Sequence, residues 1–459
     1  MIDWAERIAC LLLSLGILAN ALVVRRAVGF WAFPAVIFSL FWFFFTFIPL
    51  ISFMGSYVYA PSMLYILGVT IVFSLSGLGV SWRDVLAAGV LARGDDDIYR
   101  SGGLFAVFVA AFVAATIFLI FNVLTQGISL SQLATNLTET ASEYAQRRYS
   151  EDLVANSYQQ IGNVLAYFCA GVGGLIIIGE TRRWRMAVIV AGSLVPAVFV
   201  MLSQSAKGML FLCLALFYGG TIVARLKNGQ TTLLSRRAVP TIVVGGVVLG
   251  ALVTVSFVAR GGAQGGSALD FFAPFWASYT SGHLFAFSDW FAFRTGAPAT
   301  QGYADPGSTW GFYTFMSIFK AFGDDRVVPI GIYDEFFASP PFIQTNIYTA
   351  FRGLIQDFGM GGSLLAISLI SFAVHRAFKT MLAARIPAFS AAAMIMFIAF
   401  TYQSFGASAI TWATLPVGVL LIGVTLFALR FSGQIAAPVG TTALPVSGGS
   451  TALNFNSRR

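Results

Sequence analysis

Charge is scarce in this chain. Of 459 residues only 10% are Asp, Glu, Lys or Arg, while 58% are hydrophobic. A water-soluble globule of that size needs far more polar surface, so the composition excludes one and points to a polytopic membrane protein. Cys10, Cys169 and Cys213 lie inside apolar runs without CxxC or histidine spacing, which argues against a disulfide framework or a zinc site. Walker, HExxH and Ser/His/Asp sequences are missing too, and no metal or other cofactor is expected. A reaction here would need an already activated donor delivered through the membrane. The net charge of +8 comes from Lys and Arg scattered in short clusters, with no single basic domain for nucleic acid.

What the chain has in quantity is apolar sequence. Runs able to cross a hydrocarbon core, which takes about 20 helical residues, occupy 5–24, 29–53, 58–80, 102–125, 158–179, 186–204, 208–224, 238–259, 361–378, 386–403 and 409–429. The expected fold is therefore all-α with about eleven spans. Residues 1–435 would form one membrane-embedded unit, and 436–459, rich in Pro, Gly, Ser and Thr, a disordered tail. If the first span enters from outside, the inner connections hold 18 of the 27 basic residues and 5 of the 19 acidic ones. The positive-inside rule then puts the N-terminus outside and the C-terminus in the cytoplasm. Ala19-Asn20-Ala21 imitates a signal-peptidase site, but Asp3, Glu6 and Arg7 make a net-negative start, so an uncleaved first span is expected.

Two outer connections are long. Residues 126–157 include Ser131 to Glu139, the start of an exposed polar helix. Residues 260–360 are rich in aromatics, and the segments 269–276, 284–293 and 312–322 are too short to cross, so interfacial or re-entrant helices lying against the bundle are expected. The longest inner loop, 82–101, carries Gly94-Asp95-Asp96-Asp97. It is far too small for a cytoplasmic nucleotide-sugar domain, and its acids read as a solvated run. Gly171-Val-Gly173-Gly174 and Gly246 to Gly250 read as close helix-packing surfaces.

Chemistry is sought among the outer cations Lys207, Arg260, Arg294, Lys320, Arg326 and Arg352. Lys207 lies in a short polar break, where it serves either a ligand or the head groups. Arg260 precedes Gly261-Gly262, so it is either an interfacial anchor or an anion ligand on flexible backbone. A guanidinium fork matches phosphate oxygens and stays protonated. Arg352 and Asp357 are five residues apart and on a helix would face different ways. Asp357 either caps the next span or points a carboxylate into a lumen. His283 is either a general base or a packing residue. The acid pairs Asp324-Asp325 and Asp334-Glu335 show no ligand spacing beyond a solvated face.

The stretch Thr345-Asn346-Ile347-Tyr348-Thr349-Ala350-Phe351-Arg352, followed by Asp357-Phe358-Gly359-Met360-Gly361, stands between a large outer loop and the next span. It resembles the oligosaccharide repeat-unit polymerases, the Wzy-type O-antigen and capsule polymerases of bacteria. The span count, the Lys207 break and the Arg260 exit are similar in architecture, while the sequence signal is specific around 345–361. The family often carries more arginines in its outer loops than this chain does. The resemblance implies a GT-C-like bundle in the bacterial inner membrane that transfers a growing glycan from undecaprenyl diphosphate onto a new lipid-linked repeat unit at the periplasmic face. It implies no metal or nucleotide. The partners it implies are carrier-linked donor and acceptor, membrane lipids and a chain-length regulator. On that basis Arg260, Arg352, Lys207 and Arg294 would hold the diphosphate. Asp357, or else His283, would take the acceptor's proton. Asn346 and Tyr348 would bond sugar hydroxyls, and Trp276, Trp290 and Trp310 would stack on sugar rings or sit in the interface. An O-antigen ligase, which uses the same donor and would place a histidine centrally in the large loop, is the alternative enzyme. A flippase for lipid-linked sugars and a structural or regulatory membrane protein are the other readings.

Overall fold

The computed structural model describes residues 4–91, 98–136, 140, 143–144, 147, 156–204, 206–235, 239–261, 274, 276–304, 307–328, 331–339 and 343–431. The chain is mostly helical, because an apolar run in hydrocarbon can satisfy its backbone only internally. Eight helices are long and apolar enough to cross a membrane. They are α1 (Trp4–Val28), α2 (Pro34–Ser52), α5 (Gly102–Thr125), α7 (Ser157–Ile177), α8 (Arg183–Gln204), α9 (Lys207–Lys227), α13 (Ala350–Ala383) and α15 (Thr414–Phe431). Two further apolar helices, α3 (Ala60–Leu75) and α14 (Phe389–Gln403), are shorter. A third short apolar stretch lies inside α10 (Val239–Gly261). The protein is thus a multi-pass membrane protein by the length and composition of its helices.

Smaller elements fill the connections: α4 (Trp82–Leu91), α6 (Leu130–Thr135), α11 (His283–Arg294), α12 (Met316–Ala321), and the antiparallel strands β1 (Phe337–Ser339) and β2 (Ile343–Thr345), paired Phe337 to Thr345. The helix expected from Ser131 begins one residue earlier and is capped by Ser129, whose hydroxyl accepts from Gln132 N while the Gln132 side chain accepts from Ser129 N. The stretch expected as an inner loop contains α4, and Trp82 is buried there. The Asp95 to Asp97 run, the 269–273 segment and the tail from 432 onward lie outside the described residues.

Glycine allows close helix crossings. A Cβ on Gly174 would stand 2.0 Å from the Phe217 carbonyl, and one on Gly220 would stand 2.3 Å from that of Gly171, so α7 and α9 touch backbone to backbone. Gly246 and Gly250 differ from the same expectation: nothing lies within 4 Å of the Cβ position of either, and Val243, Val244, Val247 and Val248 around them are exposed. At the start of the chain the charges brace a hairpin. Arg7 donates to the carbonyls of Phe53 (2.7 Å) and Ser56 (2.9 Å) at the end of α2, while Glu6 accepts from Ala60 N at the start of α3.

Interfacial or re-entrant helices are expected in the large connection, and α11 is buried within the bundle. Residues His283 to Ala292 are buried without a break, so α11 has no solvent face, and it packs on α2, α3 and α13. His283 meets α2 at Phe45, seven residues and about 10 Å of helical rise before the loop-side end of that helix. Of the helices that α11 packs on, α3 is short, as is α14 elsewhere in the bundle. At 16 and 15 residues, α3 and α14 rise about 24 and 22 Å, less than a hydrocarbon core of about 30 Å.

α13 completes the insertion. Gly359 has φ 69° and ψ 178°, a backbone conformation that glycine tolerates and β-carbons oppose, and it bends the helix where a break was expected before the span. The first arm, residues 350–358, folds back toward the second. Ala350 and Leu354 line one cavity together with Ile370 and Val374, which a straight helix would hold about 24 to 36 Å away. Tyr65 joins the arms from α3, with its ring 5.9 Å from that of Phe351 and its hydroxyl 2.7 Å from Ser363 Oγ.

Candidate functional site

The site is built around the first arm of α13, which presents a different chemistry on each side. Phe351 faces the core against Trp42, with ring centroids 4.6 Å apart. Ala350 and Leu354 line an apolar cavity of about 180 Å³ bounded by Phe315, Ile370, Met396 and Phe400. Thr349, Arg352 and Gln356 recur at the spacing that stacks side chains on a third face. All three are at least 97% buried.

Arg352 is held in a cage of rings. Its guanidinium carbon lies 3.8 Å from the ring centre of Tyr333, 4.2 Å from Tyr348, 5.4 Å from Trp290 and 5.6 Å from Tyr303. Cation–π attraction of this kind strengthens once water is excluded. Nη2 donates to Glu335 Oε2 at 2.9 Å. Nε and Nη1, together with Thr349 Oγ1 and Gln356 Oε1, are buried and find no hydrogen-bond partner among the described residues. Buried polar atoms are nearly always bonded, so their concentration on one face marks a place built to hold something polar. A desolvated cation is costly, and in membrane proteins such a residue commonly marks a functional site.

Asp357 lies on the same arm with its capacity filled. Oδ1 accepts from Thr309 Oγ1 (2.5 Å) and Tyr313 N (3.1 Å), and Oδ2 from Thr314 N and Thr314 Oγ1 (both 2.6 Å). It is fully buried and organises the 309–314 turn. As expected from their spacing, Asp357 and Arg352 face different partners. Asp289 on α11 does the same for the next turn, accepting from Thr300 N, Thr300 Oγ1, Gln301 N and Tyr303 Oη. Tyr303 is thereby fixed against Arg352.

The other candidates are placed as follows. His283 is fully buried, its Nε2–H donating to the Phe45 carbonyl at 2.9 Å between the rings of Phe45 and Phe405. Burial pushes its imidazole down to about 4, so it stays neutral at ordinary pH. Lys207 opens α9 and is 3% exposed, and Arg294 closes α11. The side chain of Arg260 lies outside the described residues. Asn346 packs against Gly331, whose added Cβ would come 2.1 Å from its Nδ2. Trp290 and Tyr348 belong to the cage, whereas Trp276 and Trp310 are exposed. Thus Arg352, Tyr348 and Trp290 come together, and Asp357 and His283 are engaged elsewhere. Sequence reasoning missed Glu335 as a partner and the rings of Tyr303 and Tyr333. The density of tyrosine through the large loop was the available signal. Among the described residues no group of three His, Cys, Asp or Glu side chains is placed to hold a metal. The chain matches no protein-family model, no curated protein and no solved structure.

Proposed function

We propose that this protein is a membrane glycosyltransferase that polymerises undecaprenyl-diphosphate-linked repeat units into a surface polysaccharide at the periplasmic face of a bacterial inner membrane. The observation that carries this reading is the face of α13 on which a caged guanidinium and two further polar side chains are buried with hydrogen-bonding capacity unmet among the described residues. Two nitrogens of a fixed planar fork, Nε and Nη1, carry three N–H groups that suit the oxygens of a diphosphate leaving group. The apolar cavity on the adjacent side of the same arm suits a lipid chain attached to that diphosphate. Eleven crossings, with the N-terminus periplasmic and the C-terminus cytoplasmic, bring the inserted 278–349 connection to the periplasmic side, in keeping with the excess of Lys and Arg in the opposite connections.

In this reading Arg352 stabilises the negative charge that grows on the diphosphate as the glycosidic carbon leaves it. The rings keep water off the fork and fix its plane, so little reorganisation is needed when that charge develops. Lys207, Arg260 and Arg294 would add charge along the carrier's path, and Asn346 and Tyr348 would meet the sugars. The ligase reading wants a central, reachable histidine, and the burial of His283 against α2 disfavours it.

Deleting the gene and separating lipid-linked from surface glycans tests the proposal. A polymerase predicts single repeat units on the surface and loss of the long-chain ladder. Full-length polymer accumulating on the carrier would point to a ligase, and repeat units trapped on the cytoplasmic face to a flippase; either result overturns the reading.

A further inference from the structure

Three carboxylates approach the Arg352 cage, and they are not equivalent. Asp357 accepts four hydrogen bonds and is fully buried. Asp289 also accepts four and is 3% exposed. Neither has a lone pair to spare or a path to a sugar. Among the described residues Glu335 accepts from two: Oε1 from Ala304 N at 3.2 Å and Oε2 from Arg352. Its side chain is 18% exposed against 1% for Arg352, so the carboxylate forms the open side of the pair. The guanidinium is fixed by four rings, which makes Glu335 the exchangeable half.

We propose that Glu335 is the general base of the transfer and that its ion pair with Arg352 is a latch which an arriving diphosphate opens. This inference rests on the polymerase reading above. Phosphate oxygens, with more charge and more acceptor positions than one carboxylate, take over Nη2 and engage Nε and Nη1. Glu335, tethered through Ala304 N, swings off the fork with Oε2 unoccupied on the solvent-facing side, where an acceptor sugar can reach it. The acceptor hydroxyl gives its proton to Oε2 while its oxygen bonds to the donor's anomeric carbon. The bond from that carbon to the diphosphate oxygen breaks, and its electron pair stays on the phosphate against Arg352. The proton on Glu335 then passes through water to the released carrier diphosphate, whose departure lets the carboxylate return to Arg352. The latch keeps the base occupied until a donor is bound, so an acceptor alone meets no free carboxylate.

The test uses the full chain in lipid nanodiscs, with carrier-linked repeat units extracted from the deletion strain. Undecaprenyl diphosphate is the binding probe, followed by the fluorescence of Trp290 beside the fork. Glu335→Gln is expected to lower elongation by about 100-fold or more while binding the probe at least as tightly as the parent, because an amide competes poorly for the fork. Glu335→Asp should recover part of the rate, and the acid limb of the pH–rate profile should vanish in Glu335→Gln. Arg352→Ala should lose probe binding. Folding of each variant is checked by its thermal transition. Elongation by Glu335→Gln within about threefold of the parent overturns the base assignment and leaves the polymerase reading standing. A loss of probe binding equal to its loss of rate reduces Glu335 to a positioning residue and also overturns it. If the parent chain neither binds the probe nor elongates, the polymerase reading falls and the base assignment falls with it.

Discussion

Arg352 and Asp357 stand five residues apart on one short helical arm, both buried and both charged, yet their surroundings are built to opposite rules. Around Asp357 the 309–314 turn supplies two backbone N–H groups and two hydroxyls, meeting both oxygens. Around Arg352 the described residues supply four rings, one carboxylate oxygen and nothing for two of the guanidinium nitrogens. A fully bonded charge holds a fold in shape. A caged charge with unmet donors is kept at some cost in stability and gains a partner when a ligand arrives. Burial alone therefore does not separate a structural charge from a reactive one, and the count of satisfied atoms does.

The sharpest way to test that contrast is to remove each charge. Arg352→Ala is expected to abolish the polysaccharide ladder, about a 1,000-fold loss of elongation, with a small change in thermal stability; gel analysis of surface glycan beside a melting curve checks both. Asp357→Asn should do the reverse. It trades a carboxylate with four donors for an amide that cannot accept them all, costing on the order of 3 kcal/mol. The melting temperature should fall, with activity per folded molecule retained. If Asp357→Asn instead removed activity at unchanged stability, the contrast would fail.

A smaller effect concerns His283. Its imidazole is held at about 4 against an ordinary value of 6.5, because burial disfavours the cation. The unfolded chain therefore takes up a proton below pH 6.5 that the folded chain refuses. Stability should be unaffected above that pH and should fall between 6.5 and 4, by at most about 1.4 kcal/mol per pH unit from this group. Comparing melting curves of the parent and His283→Gln between pH 4 and 7 isolates the contribution, and parallel curves would argue against it. The least effect is expected of Trp310→Ala, since that ring is 80% exposed; the melting temperature should hold, with less than about 0.5 kcal/mol at stake. A shortened ladder in this variant would show that the ring meets the glycan.

The positions of the apolar helices were legible because hydrocarbon imposes one solution on about 20 apolar residues. The break before the span was legible in Gly359, and the α7–α9 contact in Gly171 to Gly174. The opposing surroundings of Arg352 and Asp357 were half legible: helical spacing separates their faces but does not say what meets them. Glu335 read as part of a solvated acid pair, since its bond to Arg352 crosses a hairpin that no local pattern announces. The burial of α11 was hidden as well, because Phe and Trp suit a membrane interface and a protein interior alike. Gly246 and Gly250 show the converse: a small-residue pattern permits close approach without supplying a neighbour.

The buried α11 also constrains the order in which the chain can be assembled. At twelve residues, about 18 Å, it is too short to be released into lipid as a span. One wall of its compartment is α13, which begins at Ala350 and is synthesised later. Until the ribosome has delivered that helix, Phe285, Phe287 and Trp290 have no complete interior to enter, so this compartment is among the last to close. A chain stopped before Ala350 would carry its aromatic segment unsheltered, a target for proteases outside the membrane and for quality control.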